Sequence, residues 1–398
     1  MGHAGSRSAL DRSVSEGAAV ANGTANGAAG PRVCHVTTAH PADDSRVFWR
    51  ECAGLASRGF RVMLIARADA DGFRRGVRIV ALPTYGRRVV RMTVGVAKAF
   101  RLALHARADV YHVHDPELVP MVVALRLLGK KVVYDAHEWL SKQVDAKPYL
   151  RPRTRVAAHA LTRAVEWTAN TFANRVITVN EACAVIYRPD KVRIVANFPD
   201  HHGQFEAPMA ASTARFVYVG GISRVRGIVQ QVAAMAELGR TDTARMTLMG
   251  SFEDAVLQQE VADSPGWAYV DYLGPVPHAE VAGHLAGAVA GLATLLPTPN
   301  HLISSPVKVF EYMACGLPVI LSDFPAWRQM LAGVDGAVFV DPSDPAAIAA
   351  AMRSLLHDPE RAARMGAAGR LAIDERFNWT TQLDVLVGTY GELGVRPG

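Results

Sequence analysis

Only four cysteines (Cys34, Cys52, Cys183 and Cys315) are spread over the 398 residues, and no two of them form a C-x-x-C pair. That spacing excludes a disulfide scaffold and a cysteine-based zinc site, and predicts buried free thiols in a reducing compartment. No apolar run approaches the roughly 18 residues that suggest a membrane-spanning helix. The first 30 residues, rich in Ala, Gly, Ser and Asn, lack the apolar core of a signal peptide and read as a disordered tail. H-E-x-x-H and G-x-G-x-x-G are absent too, which argues against a zincin and a dinucleotide dehydrogenase. What remains is ordinary globular composition, 50% hydrophobic and 20% charged, on a chain long enough for two domains.

Acidic residues are scarce in the front half. Residues 1–200 hold 30 Lys and Arg against 17 Asp and Glu, whereas the remainder holds 13 against 20. Such asymmetry points to an anionic partner: nucleic acid, a membrane surface or a phosphate-bearing acceptor. No nucleic-acid-binding motif accompanies the charge, so an anionic membrane surface or a polyprenyl-diphosphate-linked acceptor is the expectation. The densest basic stretch sets Arg87, Arg88, Arg91, Lys98 and Arg101 among Val90, Met92, Val94 and Phe100.

Short apolar runs alternate with helical periodicity along the chain. Residues 33–36, 61–66, 110–113, 131–134 and 176–179 read as front-half strands. In the back half, residues 216–219, 246–249, 268–270, 289–292, 319–321 and 338–340 read the same way. Strands separated by helices predict an α/β architecture with parallel sheets covered on both faces. Polar and small residues over 197–213 mark a linker, and residues 379–393 read as a closing helix.

The strongest local pattern runs from Ser304 to Asp323. Ser305 is placed to cap a helix, Pro306 to open it and Gly316 to end it before the strand at 319–321. Lys308 and Glu311 share one helix face. They read either as a surface ion pair or as a cation and a carboxylate set for phosphate and sugar hydroxyls. Residues 218–228 form a strand, a glycine turn at Gly220 and Gly221, and a helix start. The backbone N–H groups of that turn and the Arg226 side chain are available to a diphosphate.

The Ser304–Asp323 segment resembles the nucleotide-binding signature of retaining family-4 glycosyltransferases, which have the glycosyltransferase-B fold, and further matches extend from about residue 32 to 394. The resemblance implies two Rossmann-like domains with parallel sheets facing a central cleft. A tail over 1–30 would precede an acceptor-side domain over 31–203 and a nucleotide-sugar-binding domain over 204–378, with a helix over 379–394 crossing back onto the first. It implies donor-binding roles for Gly220, Gly221, Arg226, Ser304, Ser305, Lys308 and Glu311, with Arg226 and Lys308 at the diphosphate and Glu311 on the ribose hydroxyls. Gly250 and the 273–278 turn resemble turns that line the base pocket. The chain departs from the family at two places. Gly221 stands where an arginine is usual, with Arg224 as a substitute charge, and Ile303 stands where many relatives carry a second glutamate.

On the front half, loops at the carboxyl ends of parallel strands face the ligand crevice. The 37–48 loop offers His40, Asp44 and Arg46. Asp44 reads as a catalytic carboxylate or as a helix cap. Arg46 reads as a holder of acceptor phosphate or donor diphosphate, and His40 as an acceptor-side group. His114 and Asp115 end another strand and join the acceptor side, Asp115 being equally placed as a helix cap. His137 aligns with the family histidine beside the donor sugar, and Glu138 follows it as an acceptor-side or base candidate. A His-x-His with nearby carboxylates raises a metal site, but the spacing fits no metal motif and the resemblance implies none. No metal and no cofactor beyond the nucleotide-diphosphate sugar co-substrate is expected.

The resemblance implies a hexosyltransferase that retains anomeric configuration, and with the basic front half the expectation is a hydroxyl acceptor on a lipid-linked glycan in surface polysaccharide biosynthesis. It is expected in the cytoplasm, peripheral on the inner face of the cytoplasmic membrane. The rivals are a nucleotide-sugar epimerase or phosphorylase on the same scaffold, and a non-catalytic nucleotide-binding scaffold.

Overall fold

The computed structural model describes residues 30–145, 151–199 and 214–397. The expected tail over 1–30 lies outside them except for Gly30, and so does the expected boundary at 203/204. Among the described residues the strands form two sheets. The first comprises β1 (Arg32–Pro41), β2 (Arg61–Arg67), β3 (Gly72–Arg74), β4 (Val77–Leu82), β5 (Val110–Val113), β6 (Lys131–Ala136), β7 (Arg175–Thr178) and β8 (Val192–Ile194), in the order β3-β4-β2-β1-β5-β6-β7-β8. The second comprises β9 (Arg215–Val219), β10 (Arg245–Met249), β11 (Val270–Gly274), β12 (Ala290–Ala293), β13 (Val319–Ser322) and β14 (Ala337–Val340), in the order β11-β10-β9-β12-β13-β14. All pairings are parallel except β3 with β4. Each sheet is buried on both faces, which explains the near-continuous apolar runs of its central strands.

Some elements differ from the sequence expectation. β3, β4 and β8 were not anticipated: β3 is a three-residue edge strand joined to its neighbour β4 by a tight turn at Arg75 and Gly76, both with positive φ, and β8, at the other edge, also has three residues. The expected strand at 268–270 begins only at Val270. Pro265 and Gly266 open a 3₁₀ turn over Pro265–Tyr269, and a Cβ on Gly266 would lie 1.8 Å from the Val232 carbonyl. The basic stretch after β4 is helical from Arg88 to Ala106.

The closing helix, Trp379–Glu392, packs on the first sheet. Asn378 caps it by accepting from the Thr381 N–H. Trp379, Leu383, Leu386 and Tyr390 bury themselves against Val47, Phe48, Leu55 and Phe60, each side chain contributing about 1.5–3 kcal/mol. Trp379 Nε1 also donates to the Arg50 carbonyl at 3.0 Å. One sequence-distant helix thereby reaches β1 and β5, where Tyr390 meets His35 and His112.

Candidate active site

The back wall of the site is built from the turn after β9 and the helix Val307–Ala314. Gly220 has φ +122°, a conformation that side-chain-bearing residues rarely adopt, and a Cβ there would crowd Lys308 Nζ at 3.3 Å. Gly227 has φ +78°, and its Cβ would lie 2.0 Å from the Thr294 carbonyl. The turn is therefore held close to its neighbours by backbone contact. Arg226 Nη1 donates to the Gly221 carbonyl at 3.1 Å, and Tyr218 Oη donates to the same oxygen at 2.7 Å. Lys308 Nζ is buried 3.7 Å over the Tyr218 ring and has no hydrogen-bond partner among the described residues. Burial, and then the repulsion of Arg226, lower its pKa from 10.5 to about 7.

Several expectations are corrected on this side. Lys308 and Glu311 form no ion pair among the described residues, so the surface-pair reading does not hold. Arg224 does not stand in for the missing arginine: it is exposed and pairs with Glu260. Ser305 does not cap the helix, whose cap position is Pro306. The glycine at 250 is required by packing, since its Cβ would lie 1.9 Å from the Gly220 carbonyl.

The front wall carries a buried polar network. The register of the sheet sets His35 of β1 beside His112 of β5, and β6 brings Asp135 up next to them. Asp44 accepts from the Arg46 and Val47 N–H groups and so caps the wide-turned helix Ser45–Cys52, which turns Arg46 and Glu51 inward. Arg46 bonds Asp135 at 3.1 Å, the Val195 carbonyl at 3.0 Å and Asn197 at 2.7 Å, and its Nε lies 2.9 Å from Glu51. One guanidinium thus serves two buried carboxylates. Burial pushes Asp135 up, yet Arg46, His137 and His114 hold it well below the usual carboxylate range. Burial wins at Glu51, which is pushed well above that range despite Arg46. The network is close to neutral with Asp135 ionised and Glu51 protonated, the arrangement that burial requires.

The front-half expectations divide accordingly. Arg46 is 5% exposed with its nitrogens engaged, so it braces the wall and is not free to hold a phosphate. His114 and Asp115 are each 2% exposed and do not reach an acceptor directly. Asp115 does not cap the following turn either: its Oδ2 accepts from Thr37 Oγ1 and from the Thr38 and Ala39 N–H groups, fixing the loop after β1. Asp44 uses one oxygen as the helix cap and the other on His40 Nδ1 at 3.3 Å. His40 is half-buried, stacks on His137 with ring centroids 5.2 Å apart, and has its pKa raised chiefly by the Asp44 hydrogen bond. Burial lowers His137 to about 4, so it is a neutral imidazole at physiological pH.

Between the walls lies a cavity of about 220 Å³ lined by His137, Glu138, Asn180, Ile303, Ser304 and Ser305 among others. Its two sides touch where Asn180 Nδ2 donates to the Ile303 carbonyl at 3.1 Å. Glu138 is exposed and is bonded by Gln143. His35, Glu51, Asp135, Asn180 and Tyr390 belong to the site or its support but were not singled out from sequence. The only signals for them were a histidine inside an apolar strand and a glutamate on an apolar helix face.

Two α/β sheets with a cavity between them, and a glycine turn beside a buried lysine without a hydrogen-bond partner among the described residues, fit the glycosyltransferase-B architecture. Residues 45–202 match the family described as glycosyltransferase family 4, and residues 213–358 match glycosyl transferases group 1. The chain belongs to the family-4, group-1 glycosyltransferases. It is 25% identical to the phosphatidyl-myo-inositol mannosyltransferase of Mycolicibacterium smegmatis over 82% of this chain and 84% of that protein. Its fold matches sucrose-phosphate synthase from Thermosynechococcus elongatus with a TM-score of 0.71 and 21% identity, covering 92% of this chain and 99% of that one. It also matches HepE of Anabaena in complex with UDP-glucose with a TM-score of 0.70 and 15% identity, covering 91% and 100%.

Proposed function

We propose that the protein transfers a sugar, with retention, from a nucleotide-diphosphate donor bound at the Gly220 turn to a hydroxyl of a lipid-linked glycan. The observation that carries the donor half is the buried Lys308 amino group, which lies beside Arg226 and has no hydrogen-bond partner among the described residues. A group so placed is costly until an anion arrives, and a diphosphate satisfies it. Lys308 and Arg226 then stabilise the charge that develops on the leaving diphosphate. Glu311, one turn along the helix, takes the ribose hydroxyls. His137 faces the cavity as a neutral ring and orients the donor sugar.

Retention by double displacement needs a free carboxylate nucleophile. Asp135 is buried under Arg46, Asp44 is spent on a cap and His40, and Glu138 sits on the exposed rim. A same-face route, in which the leaving phosphate oxygen accepts the acceptor proton, needs no such group. Rapid-quench accumulation of a covalent glycosyl-enzyme would contradict it.

The acceptor half draws on the helix after β4. Val89 and Val94 are 72% and 58% exposed, beside exposed Arg87, Arg88, Lys98 and Arg101. Apolar side chains among cations suit an anionic lipid surface. The mannosyltransferase relative, whose name specifies a phosphatidyl-inositol acceptor, supports the same reading. No helix among the described residues is long and apolar enough to cross a membrane. The direct test is a thermal-shift screen with nucleoside diphosphates and nucleotide sugars, repeated with Glu311→Ala. Stabilisation by one donor, lost in the variant, is expected. Flat curves for every nucleotide would refute the donor assignment.

A further inference from the structure

Beneath the cleft, one chain of hydrogen bonds reaches from the closing helix to His137. Tyr390 Oη lies 2.7 Å from His112 Nδ1 and 3.2 Å from His35 Nε2. His35 Nδ1 lies 2.9 Å from His114 Nε2, and His114 Nδ1 lies 3.3 Å from His137 Nε2. Tyr390, His35 and His112 are fully buried and His114 nearly so, which leaves the chain no solvent to exchange partners with.

A neutral imidazole carries one N–H and one bare nitrogen, so fixing the proton at one ring fixes it at every ring in the chain. Tyr390 has a single hydroxyl proton to give. In one arrangement it goes to His35 Nε2, and the phenol oxygen accepts from His112 Nδ1–H. His35 then donates from Nδ1 to His114, whose own proton sits on Nδ1. That proton faces both Asp135 Oδ2 at 3.5 Å and His137 Nε2, leaving His137 Nε2 bare and its proton on Nδ1. In the other arrangement Tyr390 donates to His112 and every assignment inverts. His114 would then present a bare nitrogen to the ionised Asp135, and His137 would be protonated on Nε2. His112 Nε2 pulls toward this second form but is 3.7 Å from Asp135 and has no hydrogen-bond partner among the described residues. The proton between His114 and His137 faces Asp135 Oδ2 in both forms, at 3.5 Å from His114 Nδ1 and at 3.7 Å from His137 Nε2, so Asp135 favours the first arrangement only slightly and the Tyr390 hydroxyl, donating to His35, completes it.

We propose that Tyr390 is a positioning residue that, through His35 and His114, fixes which ring nitrogen of His137 carries the proton in the cleft. The groups facing His137 are Asp135 at 3.7 Å, His114, the stacked His40, and Arg46 behind Asp135. His114 connects it to the closing helix by hydrogen bonds, whereas Asp135 reaches that helix only across the 3.7 Å gap to His112. Two sets of these side chains, His35 with Glu51, His112 and His114, and His114 with Asp135 and His137, are spaced as a cation would accept. However, the His112 and His114 rings stack at 9° with centroids 4.6 Å apart, so their in-plane lone pairs run side by side and do not converge on one ion. In the second set, Asp135 is already bound to Arg46.

The inference rests on the cleft being the transfer site, so its test is read without turnover. Histidine-selective nitrogen-15 labelling of the full chain, with His137→Gln to assign its signals, reports the protonation of each ring nitrogen. In the wild type near neutral pH, His137 is expected to carry its proton on Nδ1. Tyr390→Phe keeps the ring against Phe60 and removes only the hydroxyl. It is expected to move His35, His114 and His137 to mixtures of both forms, with kcat roughly tenfold lower, the worth of one hydrogen bond, and the donor KM unchanged. A wild-type His137 protonated on Nε2 overturns the proposal. So do His137 signals unaltered by Tyr390→Phe, or stoichiometric metal in the purified protein. If the variant does not fold, His35→Gln, which cuts the same chain one link further on, takes its place with the same expected and contrary outcomes. Absence of sugar transfer would sink the proposed function while the nitrogen spectra still judged the relay.

Discussion

Lys308 Nζ lies 3.7 Å above the Tyr218 ring, a cation over an aromatic face with no carboxylate paired to it among the described residues. The ring offsets part of the cost of burying the ammonium, about 2 kcal/mol at a desolvated site. The remainder appears as a pKa of about 7 against the ordinary 10.5. The site is poised to gain a proton and an anion together.

That poise sets a pH dependence. Between about pH 7 and 10.5 the unfolded chain binds more protons at Lys308 than the folded chain does, so this residue makes the ligand-free protein more stable as pH rises across that window. Below it the penalty is present in full. Binding of UDP at about pH 8 is expected to restore the ammonium and take up close to one proton, read by calorimetry in buffers of different ionisation heat. Lys308→Met should abolish the uptake and weaken UDP about 10- to 100-fold. Unchanged proton uptake in the variant would count against the assignment.

Glu311→Ala is expected to weaken nucleoside diphosphates about 10- to 100-fold, the worth of a charge-assisted hydrogen bond, while leaving pyrophosphate affinity unchanged. Equal losses for both ligands would move Glu311 away from the ribose.

Arg46→Met leaves Glu51 and Asp135 buried without their cation and should cost about 3–5 kcal/mol. Asp135 is held low in the folded state, chiefly by Arg46 working against burial. Its stabilising contribution is therefore present above the ordinary carboxylate range and is lost as pH falls through the folded value. Removing Arg46 should destabilise the protein more at neutral pH than in acid, as denaturant titrations at several pH values would show. A uniform loss would mean Asp135 is not the charge being compensated.

Gly227→Ala should destabilise the second sheet's edge of the cleft by several kcal/mol, since it combines φ +78° with a Cβ 2.0 Å from a carbonyl oxygen. A melting temperature within about 2 °C of wild type would show that the turn can relax.

Val89→Asp with Val94→Asp is expected to reduce sedimentation with anionic vesicles while leaving the thermal response to nucleotide intact. Arg87→Glu with Arg88→Glu should do the same and make residual binding less sensitive to salt. Vesicle binding unaffected by either pair would remove the membrane from the proposal.

The order of strands and helices was legible because parallel strands buried on both faces must be continuous apolar runs. The Ser304–Asp323 segment was legible as a helix running into a strand, and spacing put Lys308 and Glu311 on one helix face, but their donor-binding roles came from the family resemblance. β3 and β8 escaped because short edge strands lack that double burial, and β4, next to the edge, because it is only partly buried, with Arg78 exposed. Arg46 and Asp115 were visible as loop residues, but their engagement with Asp135 and with the 37–39 backbone depends on segments about 70 to 90 positions away.

Local composition and spacing determined by themselves that this chain would form paired α/β sheets with a phosphate-suited turn and helix. Only the tertiary structure decided which charged groups are free to act. Register placed His35 beside His112, the Asp44 cap turned Arg46 inward, and the closing helix delivered Tyr390 from 355 residues away to His35. Burial then divided the groups. Arg46, Asp44 and Asp115 found partners inside and became part of the wall, whereas Lys308 Nζ has no hydrogen-bond partner among the described residues.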